Sequence, residues 1–185
     1  MNFKKSILLL LIISLVFYGL TFRGNWNNPS VNDIDLQHHR AGTAFETSQE
    51  GSRFAMILSL INDKTLSIDK YAYMGTPDVG KTNGHYYSLF PPAISLMAIP
   101  LYLIGFQVGA SQIFTFSLST IFAILTMVLI LKFAQKLGLN WQSSLFSALS
   151  FGFATNAWGY SVTLYAHLVS AFLILWAIYL AVYWQ

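Results

Sequence analysis

Ile113–Leu131 reads IFTFSLSTIFAILTMVLIL, with no charge and only Thr115, Ser117, Ser119, Thr120 and Thr126 as polar members. A helix needs ~20 predominantly apolar residues to cross the ~30 Å hydrocarbon core of a bilayer. This stretch meets that requirement, so the fold is read as a membrane fold. Composition agrees. The chain is 55% hydrophobic and 9% charged, with mean hydropathy +0.55, against about 25% charged in an average globular domain. A soluble core of this size could not bury so much apolar surface. The net charge of +3 is no nucleic-acid footprint. Lys4, Lys5, Lys132 and Lys136 flank apolar runs, and the other cations are interspersed with acids. The chain has no cysteine, which excludes disulfides, thiolate metal sites and a cysteine nucleophile.

Upstream, Lys4 and Lys5 precede an apolar run, Ser6–Phe22. It exits through the bulky Tyr18-Gly19-Leu20-Thr21-Phe22-Arg23, not through the small residues of a cleavage site. It is read as an uncleaved anchor with a cytoplasmic N-terminus. Ala93–Phe106, broken by Pro100, would reach only ~21 Å as a helix at ~1.5 Å per residue. If it crossed the bilayer, Lys132 and Lys136 would emerge outside. If it lies on the outer surface they emerge in the cytoplasm, as the positive-inside rule prefers. Trp141 and Trp158 are interfacial rings at the ends of the next span, and Gly159–Tyr165 forms a polar aromatic bend outside. The expected fold class is all-α: a polytopic membrane helix bundle with a large extracytoplasmic first loop. The spans are expected at 6–22, 112–132, 142–157 and 167–185. The loop, 23–110, carries juxtamembrane helices at 48–62 and 92–108. The expected location is the plasma (inner) membrane, multi-pass. No charge follows Lys136 and the chain stops within an apolar run. That points to the N-terminal part of a longer polypeptide whose remainder is missing.

All seven acidic residues, Asp33, Asp35, Glu46, Glu50, Asp63, Asp69 and Asp78, lie in the first loop, which marks it as the place for chemistry or binding. Asp33-Ile34-Asp35 has the form of the D-x-D metal signature, but no strand–helix alternation accompanies it, and two solvated acids are the simpler reading. Adjacent His38 and His39 do not face one ion from a helix or strand. Thr47-Ser48-Gln49-Glu50 fits a capping box, opening a helix whose Glu50, Phe54, Ile57 and Ile61 share one stripe. Arg53 is one turn on from Glu50. The plain reading of Glu50 is a cap paired with arginine; the sharper one is an acid facing the membrane side. Thr76-Pro77-Asp78 and Asn83-Gly84 are turn signals. Leu66–Ile68 and His85–Tyr87 are read as short extended pieces. The cluster His85-Tyr86-Tyr87 suits interfacial packing first and a sugar-binding wall second. His167, at the outer end of the last span, faces the side of the loop.

In this order of pieces the chain resembles the GT-C integral-membrane glycosyltransferases, close to the protein O-mannosyltransferases and lipid A aminoarabinose transferases. Their first outer loop typically carries D-E-x-R-Y; here the stretch is Glu50-Gly51-Ser52-Arg53-Phe54. Their aromatic segment ends in a lysine and two prolines; here it is His85-Tyr86-Tyr87-Ser88-Leu89-Phe90-Pro91-Pro92. The departures are Glu for the leading Asp, Gly51 for the second acid and Phe90 for the lysine. The resemblance implies transfer of a sugar from a polyprenyl-phosphate donor to an acceptor at the outer membrane face, in the cell envelope. It implies Glu50 as general base, with Arg53, Asp78, His85, Tyr86, Tyr87 and His167 as substrate-binding candidates. No cofactor is required by this reading. Some relatives use a divalent ion, and Asp33, Asp35, His38 and Asp78 could assist one, though no ligand spacing compels it. The partners implied are the lipid-linked donor and membrane lipid. A polytopic transporter or flippase, or a non-catalytic membrane subunit, are the rival readings.

Overall fold

The computed structural model describes residues 3–37 and 40–183. His38 and His39 lie outside the described residues. The chain is mostly helical: α1 (Phe3–Thr21), α2 (Val31–Gln37), α3 (Ser48–Leu58), a hairpin of β1 (Val79–Thr82) and β2 (His85–Ser88), then α4 (Ala93–Gln107), α5 (Ser111–Lys136), α6 (Trp141–Phe153), α7 (Ala157–Ser161) and α8 (His167–Tyr183). Among the described residues one helix, α5, is long and apolar enough to cross a membrane; Lys5–Thr21, Ala93–Gln107 and His167–Tyr183 are shorter apolar helices. The chain divides into two compact units. One comprises Met1–Phe22, Ser119–Val162 and Ala166–Gln185; the other comprises Arg23–Leu118 with Thr163–Tyr165.

In the first unit, buried Leu10, Tyr18, Met127, Leu131, Leu145, Ala148 and Leu168 build the core. Tyr18 donates its hydroxyl to the Gly152 carbonyl at 3.2 Å. α5 comes close to Gly152: a Cβ there would stand 2.5 Å from the Met127 sulfur. Helix directions follow from contacts at the helix ends. Phe17 and Tyr18, late in α1, pack on Phe153 at the end of α6, so these two ends meet. Phe122 meets Phe172 and Phe133 meets Tyr179, so α5 and α8 run parallel. Thr21 accepts from the Trp158 indole at 3.0 Å, and Thr120 donates to the Ser161 carbonyl at 2.5 Å. Both bonds reach α7, so α1 ends and this part of α5 begins at the same end of the unit. Leu8, Ile12, Leu15 and Leu20 of α1, and Leu173, Ile174 and Ile178 of α8, remain exposed.

The helix at the expected third span, 142–157, is shorter than read. α6 stops at Phe153, after only ~20 Å of rise. The Thr155 hydroxyl turns back to the Phe151 carbonyl and accepts from the Ala157 amide, which ends one helix and starts the next. α1 begins at Phe3 and ends at Thr21, close to the expected 6–22.

The second unit is organised on α3, which is buried nearly all round. A single apolar stripe was expected. Instead the polar residues of the helix are also enclosed, because neighbours cover every face. The α-helix ends at Leu58, and Ser59–Asp63 continues as a π turn closed by Lys64 in the left-handed region; regular helix to 62 was expected. Gly51 lies against the 3-10 helix Asp69–Gly75, an element with no clear sequence signal. Phe54 packs between Phe45, Phe116 and Tyr102, edge to face, an arrangement that adds to plain area burial. On α4, Ile94, Ser95, Ala98, Tyr102 and Gly105 are buried, while Leu96, Met97, Leu103 and Ile104 are exposed. Asn28 fastens the corner after α4: its amide donates to the Phe106 carbonyl and accepts from the Ser111 amide.

Val79 pairs with Ser88 and Thr82 with His85, with Asn83 and Gly84 at positive φ between them, the geometry of a tight hairpin turn. Leu66–Ile68 is not a strand. Ile68 donates one backbone hydrogen bond to Tyr86, and the chain then coils into the 3-10 helix. α2 forms over Asp33-Ile34-Asp35, the stretch read as two solvated acids. Ser30 and Asp33 cap it reciprocally, Asp33 accepting from the Ser30 amide and hydroxyl.

Candidate active site on helix α3

Thr47 is extended, as an N-cap must be, and both halves of the capping box form. The Gln49 amide donates to the Thr47 hydroxyl oxygen, and the Thr47 amide donates to Glu50 Oε2 at 3.2 Å. The Thr47 hydroxyl donates to the same oxygen. Tyr165 stands 3.2 Å from that hydroxyl. The Tyr165 hydroxyl also hydrogen-bonds the Glu50 carboxylate. Sequence reasoning did not find Tyr165. It is far along the chain from α3 and carries no local signal of the contact.

Glu50 is fully enclosed, at 0% exposure. Its Oε1 is buried without a hydrogen-bond partner. Burial raises its carboxyl above the ordinary range, against the opposing hydrogen bonds from Thr47 and Tyr165. Desolvation penalises the charged form, which is why an enclosed acid holds its proton to higher pH.

Arg53 is 3% exposed. Its Nη1 donates to the Leu164 carbonyl at 3.0 Å and to Gln49 Oε1 at 3.4 Å. Its guanidinium lies over the Phe90 ring, 4.9 Å from the centroid. Phe90, read as a lost lysine, is here the aromatic platform for Arg53. Nε is buried and has no partner. Burial lowers the affinity of the guanidinium for its proton, and the charge of Glu50 acts the other way. Among the described residues Glu50 and Arg53 form no salt bridge, so the reading of a cap paired with arginine holds for the cap alone.

Asp78 joins α3 through Ser48, whose hydroxyl donates to it at 2.5 Å. Ser88 accepts from Ser52 at 2.7 Å. The other expected residues have other contacts. His85 is exposed at the far end of β2, ~10 Å along the strand from Ser88 at ~3.3 Å per residue, and is bonded to Asp69 at 2.7 Å. Tyr86 donates its amide to Asp69, and its ring lies under the Lys81 ammonium. Tyr87 alternates onto the exposed side of the strand with His85. His167 belongs to the first unit, stacked on Tyr160 at 4.4 Å. Asp33 is the cap of α2 and Asp35 is exposed. No three histidine or acidic side chains converge as metal ligands among the described residues.

No protein family, curated protein or solved structure matches the chain.

Proposed function

We propose that the chain is part of a membrane glycosyltransferase that moves a sugar from a polyprenyl-phosphate donor, with Glu50 as general base and Arg53 as the cation for the leaving phosphate. The observation that carries this reading is the orphaned Oε1 of a fully enclosed Glu50, one helical turn from an equally enclosed arginine. Leaving a buried polar atom unpaired costs ~1–3 kcal/mol, and a catalytic role is one reason for such an atom to persist.

The membrane placement draws on the first unit. α1 and α5 meet α7 at one end, so the chain between them makes an even number of crossings. Lys132 and Lys136 close α5 at the other end. The positive-inside rule then makes that end cytoplasmic and the loop of Glu50 extracytoplasmic. The exposed apolar faces of α1, α4 and α8 suit lipid.

In the reaction, Oε2 stays held by Thr47 while Oε1 takes the proton from the acceptor hydroxyl. The acceptor oxygen bonds to the anomeric carbon as the bond from that carbon to the phosphate oxygen breaks. The electron pair leaves with the phosphate, and the guanidinium stabilises the charge there. A raised carboxyl pKa brings the base nearer its operating pH. Thr163–Tyr165 covers the two side chains through Leu164 and Tyr165, so donor entry displaces this strap.

The test is transfer by the full-length protein supplied with polyprenyl-linked sugar, wild type against Glu50→Gln. A loss of at least ~100-fold is expected, the scale of general-base catalysis, with unchanged folding. Equal transfer removes Glu50 from the mechanism. One observation favours a second reading, a non-catalytic subunit: Glu50 completes a capping box. No transfer by the wild type, with tight association to another membrane protein, would favour it.

A further inference from the structure

Four of the ten cationic residues, Lys4, Lys5, Lys132 and Lys136, belong to the first unit, and no side-chain carboxylate does, because all seven acids lie between Asp33 and Asp78. The two lysines of α5 therefore have no acidic side chain within their own unit. Beside them, α5 and α8 leave a groove of about 220 Å³. Its α5 side is formed by Val128 and Leu129, and its α8 side by Phe172, Trp176 and Tyr179. Lys132 is the one charged residue that lines it, at the C-terminal end.

The wall is already braced. Phe172 stacks with Trp176 at 6.0 Å and meets Phe122 edge to face. Tyr179 stacks with Tyr183 and meets Phe133. The Lys136 ammonium sits 4.2 Å from the Tyr183 ring centroid, one helical turn beyond Lys132. The groove thus joins an apolar trough to a cationic mouth. Aromatic rings with polar tips flank the mouth, the chemistry of a membrane interface.

We infer that this groove binds one anionic phospholipid, an acyl chain lying along Val128, Leu129 and the Phe172–Trp176 wall and the phosphate meeting Lys132 and Lys136. Charge complementarity selects this occupant: a zwitterionic lipid brings its own cation along with its phosphate and leaves the site with net positive charge, and basic pockets between membrane helices suit anionic head groups. The inference rests on the membrane placement proposed above and is independent of the transferase chemistry at Glu50.

The test is native mass spectrometry of the full-length protein released from nanodiscs holding equal phosphatidylglycerol and phosphatidylcholine of matched chains. Wild type is expected to retain phosphatidylglycerol at least ~5-fold over phosphatidylcholine, which corresponds to the ~1 kcal/mol that a single lysine contributes near an anionic membrane surface. Lys132→Gln with Lys136→Gln should abolish the preference and leave total retention near that of wild type. Val128→Trp, which fills the trough, should lower retention of both lipids. Equal retention of the two lipids by wild type overturns the inference, as does an unchanged preference in the lysine variant. A dimer that Val128→Trp converts to monomer also overturns it, since a second copy would then occupy the groove. Alkaline extraction of membranes reports the placement separately. A chain released by that wash lacks the spans, whatever its lipid preference.

Discussion

Gly51 is pressed against the backbone of Met74: a Cβ on Gly51 would stand 1.8 Å from the Met74 carbonyl oxygen. The atom it would strike is backbone, so no rotamer change relieves the collision. This α3 position must be a glycine to pack on the 3-10 helix. Gly51→Ala should destabilise the fold by at least ~1–3 kcal/mol, the usual scale of overpacking, despite the gain in helix propensity. Gly51→Glu should do worse. Thermal unfolding in detergent micelles measures both, and a Gly51→Ala protein as stable as wild type would refute the close approach.

Glu50 gives stability a pH dependence whose sign can be worked out. Its carboxyl is raised in the folded state, so folding favours the protonated acid. That contribution is whole below the ordinary carboxylate range and is lost as pH rises through the folded value. Glu50→Gln has no charge to bury. The Tm of Glu50→Gln minus that of wild type should therefore increase between about pH 4 and about pH 8. Asp69 works the other way: hydrogen bonds from His85 and the Tyr86 amide hold its carboxyl down to about 2, so its contribution fades only in stronger acid. A pH-independent difference between the two proteins would mean that Glu50 is not held in a desolvated setting.

Tyr165→Phe removes a hydrogen bond that favours ionised Glu50. The Glu50 carboxyl should move further up. A general base works only when deprotonated, so the acidic limb of the pH–rate profile for transfer should shift to higher pH. Rates at alkaline pH should change less than those at acidic pH. A shift of the limb to lower pH contradicts the assignment.

Introduced cysteines report sidedness cleanly, because the chain has none of its own. Thr82 and Leu137 are both exposed, which makes them better positions than buried neighbours such as Ala134. In intact cells Thr82→Cys should react with an impermeant maleimide and Leu137→Cys should not. Labelling at Leu137 without labelling at Thr82 would invert the placement, and labelling at both would mean that the chain between α1 and α5 crosses an odd number of times.

The sequence made some of this legible and hid the rest for identifiable reasons. Thr47 and Glu50 announced the start of α3 because a capping box is local, and Asn83-Gly84 announced the hairpin because few residues tolerate positive φ. Val79–Thr82 was not read as a strand: Val-Gly-Lys-Thr has no alternation, and its partner supplies the order. The 3-10 helix Asp69–Gly75 forms against Gly51, a contact without local signature. The stripe expected on α3, Glu50 with Phe54, Ile57 and Ile61, left the polar residues on its other faces unassigned. Covering of its polar residues depends on Asp78, Ser88, Leu164 and Tyr165, all remote in the chain. The break after Phe153 turns on one hydroxyl, Thr155, in a stretch whose apolar character reads as continuous.

The two oxygens of Glu50 meet different surroundings: the Thr47 amide and hydroxyl hold Oε2, while Oε1 is buried with no partner. A proton on Oε2 would compete with the Thr47 donors, while one on Oε1 displaces none of them. Glu50 is thereby handed: its two oxygens are chemically distinct before any substrate arrives.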